Sequence, residues 1–187
     1  MAPAPTQEKQ NLKVALKLAD LNLPVFPCLA KPQGTKVAKA PHTPKGFHDA
    51  TIDKEQILAW WNNWPDALVG LPTGETTGLS VLDGDINRDT GKAVGEEQIL
   101  KIGLTHPKAV RIRTPSGGVH LIFSDAAGLG KTSSGKVASH IDTRCKGGYI
   151  IAPECIMPNG AQYTYEGHTL AEALNANDLP PYPLVKV

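Results

Sequence analysis

Apolar residues recur at helical spacing near the start of the chain. Leu12, Ala15, Leu16 and Ala19 share one stripe, which predicts an amphipathic helix over residues 7–21. Residues 24–28 read as a short strand, placed near a sheet edge by their prolines. Residues 30–50 read as a loop rich in Lys, Pro and Gly. Asp53 and Gln56 form a capping-box-like start. The helix they open carries Ile57, Leu58 and Trp61 and stops near Trp64-Pro65. Residues 67–71 then read as a buried strand, and Pro72-Thr73-Gly74 as a tight turn.

A second apolar run, Gly78 to Asp85, is strand-like and ends in two aspartates. A polar turn over 87–91 leads to a helix over about 92–102. Residues 110–114 and 119–123 flank Pro115-Ser116-Gly117-Gly118, which predicts a hairpin. Residues 125–139, rich in Gly, Ser and Lys, read as a mobile stretch. Further strands are expected over 147–153 and 162–165. Strands dominate with helices interspersed, so the class is α+β. Residues 1–176 read as one domain, and 177–187, with three prolines, as a tail or linker.

Composition narrows the picture. The chain's 187 residues suffice for one substantial core. Hydrophobic content of 41% and charged content of 20% indicate a globular chain. No apolar run approaches the ~20 residues of a membrane span. The polar opening from Met1 to Gln10 has no signal-peptide core. Cys28, Cys145 and Cys155 are odd in number and lack metal-site pairing, so free thiols in a reducing, cytoplasmic setting are expected. The net charge is +1, from 19 basic and 18 acidic residues. A dedicated nucleic-acid-binding module is usually more basic. Any such binding by the bare domain should be weak and salt-sensitive.

The candidate chemistry starts at Asp83 and Asp85. In a strand, residues i and i+2 point to one face, so these carboxylates project side by side. They repel unless a cation lies between them, and hard oxygen ligands suit Mg²⁺ or Mn²⁺. The competing reading is a strand running into a solvated Asx-rich turn. His120 shares one face of its strand with Ile122, while Val119, Leu121 and Phe123 share the other. Taken alone, His120 is a satisfied core or surface residue. The preceding Thr114–Gly118 segment adds a hydroxyl and a glycine-rich turn suited to a phosphate chain. Asp142 follows Ile141 in a similar apolar-Asp step and would be a third carboxylate. Arg144 could clamp a phosphate, or simply pair with Asp142 on the surface. Trp60, Trp61 and Trp64 end an amphipathic helix and are expected to pack rather than to stack bases. The lysines of residues 30–45 read as a solvated loop, with a template-binding edge as the sharper alternative.

The ordered set Val81-Leu82-Asp83-Gly84-Asp85, Ser116 to His120, and Ile141-Asp142 resembles the three motifs of the archaeo-eukaryotic primase superfamily. The flanks resemble one branch, the bifunctional DNA primase/polymerase (Prim-Pol) N-terminal domain. They include Lys39-Ala40-Pro41, Gly46–Thr51, Trp60-Trp61, Pro72-Thr73-Gly74, Thr114–Gly118 and Asp142–Pro153. The resemblance runs from about Ala15 to about Gln162.

It implies an RRM-like catalytic sheet with an N-terminal α/β unit, and primer synthesis and extension by two-metal nucleotidyl transfer on a DNA template. Carried over by position, Asp83, Asp85 and Asp142 would be catalytic ligands of two divalent ions, Mg²⁺ or Mn²⁺. Ser116, Gly117 and His120 would contact the incoming nucleotide, with Arg144 and Lys39 as further phosphate contacts. Implied partners are dNTP or NTP substrates, single-stranded template and primer, and a helicase domain or helicase partner, in a replication protein of a phage, plasmid or other mobile element. No membrane is implied. Val119 stands where many members carry Arg. The chain also stops where members continue into a helical priming domain and a helicase, so initiation by this domain alone is the less supported step; the proline-rich tail favours a fragment. Two alternatives stand beside this reading: a nucleotide- or DNA-binding regulatory module of the same fold, and a metal-dependent nuclease.

Overall fold

The structure, a computed structural model, describes residues 7–185. The first six residues of the polar opening and the last two of the tail lie outside that range. The elements, in chain order, begin with α1 (Gln7–Asp20), β1 (Phe26–Cys28), a short 3-10 turn (Gly46–Asp49), α2 (Lys54–Asn63) and β2 (Leu68–Pro72). Then come β3 (Leu79–Gly84), α3 (Val94–Lys101), β4 (Val110–Arg113), β5 (Val119–Ser124) and β6 (Ser133–Ala138). The series closes with β7 (Ile141–Arg144), β8 (Tyr149–Ile151), β9 (Thr164–Tyr165) and α4 (Leu170–Asn175). The fold is mixed α+β, as expected, with antiparallel sheets. No helix among the described residues is long and apolar enough to cross a membrane.

The chain divides into two compact units. One comprises the residues through Pro72 together with Tyr149–Tyr163, the other Thr73–Gly148 together with the residues from Thr164 on.

In the first unit an antiparallel sheet has the order β1-β2-β8, so proline-bearing β1 is an edge strand as its sequence predicts. The buried stripe of α1 is Asn11, Val14, Ala15, Leu18 and Ala19. This corrects the stripe expected through Leu12 and Leu16, which are only half-buried. Asn11 turns inward because its amide is fully used. Its Nδ2 donates to the carbonyls of Ala67 and Ile156, both at 3.1 Å, and its Oδ1 accepts from Ile156 N at 2.8 Å. Asp53 caps α2 by accepting from the backbone N–H groups of Glu55 and Gln56. That helix buries Ile57 and Trp61 but leaves Leu58 exposed. Trp64 stacks on His42 with ring centroids 4.6 Å apart.

The second unit holds a six-stranded sheet of order β6-β7-β3-β5-β4-β9. Its central four strands, β7-β3-β5-β4, follow the RRM order: β3 leads into α3, the β4–β5 hairpin follows, and β7 returns beside β3. The hairpin forms as predicted, closed by Thr114 N donating to Gly118 O at 2.9 Å. On the α3 side of the sheet, Ile99 packs in one core with Leu82, Val119, Leu121, Phe123 and Ile141. Val119 is fully buried there, which suits an apolar residue. Tyr182, near the chain's end, joins the same core and meets Phe123 edge-on at 6.0 Å.

The stretch 125–139, expected to be a mobile loop, instead contains edge strand β6. Asp125 at its start is buried, accepting from Ser80 Oγ at 2.7 Å and from the N–H groups of Leu129 and Gly130. The strand gives no apolar alternation because it lies on the sheet edge and is largely solvated.

Candidate active site

The side chains of Asp83, His120 and Asp142 form a row across three neighbouring strands. Asp83 on β3 is paired in register with His120 on β5 and with Asp142 on β7. Directly opposed residues of antiparallel strands share a face, so all three project to the side away from α3. Asp85 follows Asp83 by two residues, just past the end of β3. One oxygen from each of Asp83, Asp85 and Asp142 lies within 4.8 Å of the others.

The contacts bind this row together. His120 is buried, with Nε2 3.3 Å from Asp83 Oδ1. Arg144, two residues beyond Asp142 on the same face, reaches both acids. Its Nη2 is 2.7 Å from Asp142 Oδ2 and its Nε 3.7 Å from Asp83 Oδ2. Asp142 Oδ1 also accepts from Ser134 Oγ at 2.9 Å and Gly135 N at 3.0 Å, both on β6.

Asp85 is held through its backbone. Its N–H donates to His140 O at 2.8 Å, and its carbonyl accepts from Gly95 N at 2.9 Å. His140, in the β6–β7 turn, has φ +61°, a left-handed conformation that histidine takes more readily than most residues other than glycine. Gly95 lets α3 approach closely. A Cβ there would meet Asp85 N at 2.5 Å and Gly84 C at 2.6 Å, both backbone atoms that cannot swing aside. The Asp85 carboxyl is pushed above the usual carboxylate range. Partial burial is the largest cause, followed by the negative charges of Asp83 and Asp142, while Arg88 and Arg144 oppose the shift.

The donor set fits a hard divalent cation. It is all carboxylate oxygen, on a rigid strand base, with like charges that a cation would relieve.

The β4–β5 turn stands beside this cluster. Gly117 has φ +96°, and a Cβ on it would lie 3.6 Å from Ile86 Cγ2. Its N–H is used on Thr114 O at 2.9 Å, so Gly117 shapes the turn rather than offering a donor. Ser116 is exposed, its Oγ 3.0 Å from Thr114 Oγ1. A Cβ on Gly118 would stand 2.5 Å from Gly84 O, so the turn can lie against the end of β3 only with glycine there. Lys39 belongs to the other unit. It too takes a left-handed φ, +69°, and its Nζ lies 5.6 Å from the centre of the Tyr163 ring.

Of the residues singled out from sequence, Asp83, Asp85, Asp142, His120 and Arg144 converge, with Ser116 and Gly117 in the adjoining turn. The sequence reading passed over Ser134, Gly135, Gly95 and His140, which hold the acids mainly through backbone groups. It also passed over Glu96 on α3. Glu96 pairs with Arg111 Nη2, and with Arg113 Nη1 at 2.6 Å; both arginines also pair with Glu166, at 2.6 and 2.9 Å. The Arg111-x-Arg113 alternation on a strand was the available signal for that network.

An α+β unit with an RRM-ordered sheet and a carboxylate triad on the face away from its helix defines a class of protein whose site could hold a divalent cation. Within that class the particular family is shown by a family model: the bifunctional DNA primase/polymerase, N-terminal (Prim-Pol) model matches residues 15–183, and the chain belongs to that family. Family membership implies a nucleotidyltransferase-type enzyme with nucleotide and DNA substrates. A search of curated proteins finds no match.

Proposed function

We propose that the chain is the catalytic domain of a DNA primase/polymerase, synthesising primers and extending them on a single-stranded DNA template. The carrying observation is the cross-strand register that sets Asp83 between His120 and Asp142, with Asp85 completing the triad. Asp83, Asp85 and Asp142 would hold two divalent ions, Mg²⁺ or Mn²⁺. When bound, these supply charge neutralisation at the phosphates and a lowered pKa for the attacking hydroxyl.

The chain's own residues position the reactants. The primer's 3′-oxygen bonds to the α-phosphorus of the incoming nucleotide. The bond from that phosphorus to the oxygen bridging to the β-phosphate breaks, pyrophosphate leaves, and the hydroxyl proton passes to solvent. His120, fixed by Asp83, and the Ser116 hydroxyl contact the triphosphate, in a turn that Gly117 shapes. Arg144 orients Asp83 and Asp142 and faces the same phosphates. Holding donors in place before reaction is where such a site gains its rate, since little covalent chemistry falls to the protein. A helicase domain or partner would supply the single strand. The cysteines among the described residues are free and buried, which suits a reducing, cytoplasmic setting.

Primer extension with labelled dNTPs, run beside de novo synthesis on single-stranded template, tests this. Asp83→Asn should lower incorporation by at least roughly 10²–10³-fold with an unchanged circular dichroism spectrum. Wild-type-like extension by that variant at saturating Mn²⁺ would overturn the assignment. Degradation of the template without incorporation would favour a nuclease instead.

A further inference from the structure

Beside Asp85, on the β7 flank of β3, lies a pocket of about 360 Å³ lined by Asp85, Ile86, Asn87, Arg88, Asp89 and His140. The Ser116–His120 element assigned to the triphosphate belongs to β5 and its turn; the turn meets the pocket at Ile86, while Asp85, Arg88 and His140 face the β7 side. Asp85 is therefore shared between the carboxylate triad and this cavity. That cavity's size lies within the ~300–1,000 Å³ of small-ligand sites.

The pocket's walls are set before any ligand arrives. Asn87 Oδ1 accepts from the N–H groups of Asp89 and Thr90 at 3.0 and 3.1 Å, and Asn87 N donates to Lys92 O at 2.8 Å. His140 is locked by its carbonyl's bond to Asp85 N. Arg88 is exposed and forms no ion pair within 4.0 Å among the described residues, although its charge acts on Asp85. The lining thus pairs a guanidinium and an imidazole with two carboxylates. A simple anion is a poor occupant, because Asp85 and Asp89 repel it. A group carrying both a phosphate and a hydroxyl suits the set: the phosphate meets Arg88 and His140, and the hydroxyl donates toward Asp85.

We propose that this pocket receives the 3′-terminal nucleotide of the primer strand, with Arg88 and His140 as positioning residues on its phosphodiester. The proposal rests on the nucleotidyl-transfer reading above. That reaction has two substrates, and the triphosphate side is already assigned. The second reactant must approach a shared carboxylate from the other flank for an in-line displacement.

The test uses the wild-type chain, Arg88→Gln and His140→Asn. Asn tolerates the left-handed backbone at 140, so the turn keeps its shape. Binding is read by fluorescence anisotropy, without nucleotide, on a labelled primer–template and on a single strand of equal length. Arg88→Gln should weaken primer–template binding by roughly three- to tenfold and reduce its salt slope by about one. The single strand should be bound as before, and in extension assays the KM for dNTP should hold. His140→Asn should weaken primer–template binding in the same direction. Unchanged primer–template affinity and slope in both variants would overturn the proposal. So would an equal loss on both probes, which marks a general backbone contact, or a rise in dNTP KM alone, which assigns the pocket to the triphosphate. Binding is measured without catalysis, so a wild type that binds but does not incorporate would fail the nucleotidyl-transfer reading separately.

Discussion

Asp85 carries a conflict between folding and function. Burial and two neighbouring carboxylates raise its proton affinity above that of an unfolded chain. A carboxyl whose folded pKa is raised binds its proton more tightly in the native state, so stability falls as pH climbs from the unfolded value through the folded one. The metal-free protein bears that penalty wherever the carboxyl is ionised. Asp85→Asn is therefore expected to raise the melting temperature in EDTA at pH 7 while abolishing nucleotide incorporation. Mn²⁺ should raise the melting temperature of the wild type, through preferential binding to the folded state, and should do so much less in the variant. A calorimetric scan of both proteins with and without Mn²⁺ checks this, and equal Mn²⁺ shifts would remove Asp85 from the metal site. At this scale the acids were legible because strand periodicity puts residues 83 and 85 on one face. The groups that hold them were not. Ser134, Gly135, Gly95 and His140 act across several to dozens of residues, largely through backbone N–H and C=O groups that every residue type possesses.

Helix α3 fixes the end of β3 through a close backbone approach at Gly95, and an ionic clasp ties the same helix to β4. Gly95→Ala would thrust a methyl group against the backbone of Gly84, Asp85 and His140. Overpacking against rigid backbone costs about 1–3 kcal/mol. A loss of that size in urea denaturation, with reduced incorporation at temperatures where the variant is folded, is the expected result. The clasp has its own pH signature. Hydrogen bonds from Arg113 are the first cause holding the Glu96 and Glu166 carboxyls below their ordinary range, with Arg111 adding to the effect. A carboxyl with a lowered folded pKa contributes stability that is present above its unfolded value, about 4.3, and is lost as pH falls through the folded value. These groups are partly exposed, so the contribution is of order 1 kcal/mol or less. Glu96→Gln should flatten the fall in stability below about pH 4, measured by thermal melts from pH 3 to 6; an unaltered slope would mean that the clasp is screened away. Most elements were legible: both hairpin strands, the Asp53 cap and the edge position of β1 follow from local pattern. Strands β6 and β7, helix α4 and the inward face of α1 were not: β6 is a solvated edge, β7 and α4 are only four and six residues long, and α1 is turned by a buried Asn11 that a count of apolar residues ignores.

For the whole molecule, the path of the chain was the least legible feature. Units change at Pro72–Thr73, Gly148–Tyr149 and Tyr163–Thr164 without any shift in composition, because sheet pairing over long sequence separation decides them. The charge balance, by contrast, was plain in the sequence and has a functional consequence. With 19 basic and 18 acidic residues, the net charge is +1, and Lys108, Arg111, Arg113, Arg144 and Lys146 in the second unit are paired with acids. Affinity for nucleic acid at physiological salt comes mainly from releasing counterions, and a chain whose basic and acidic residues nearly balance has no net field to favour it, so it binds weakly. The bare chain is expected to bind primer–template with a Kd no tighter than roughly 10⁻⁶ M at 150 mM salt, the non-specific range. It should extend primers distributively, adding few nucleotides per encounter. Tethering it to a second DNA-binding module should raise extension through effective concentration, without any change in the site. Anisotropy titrations across salt, beside extension under a heparin trap with and without a fused binding module, measure both terms. Nanomolar affinity and long products from the bare chain would require a cationic surface beyond what this charge distribution provides.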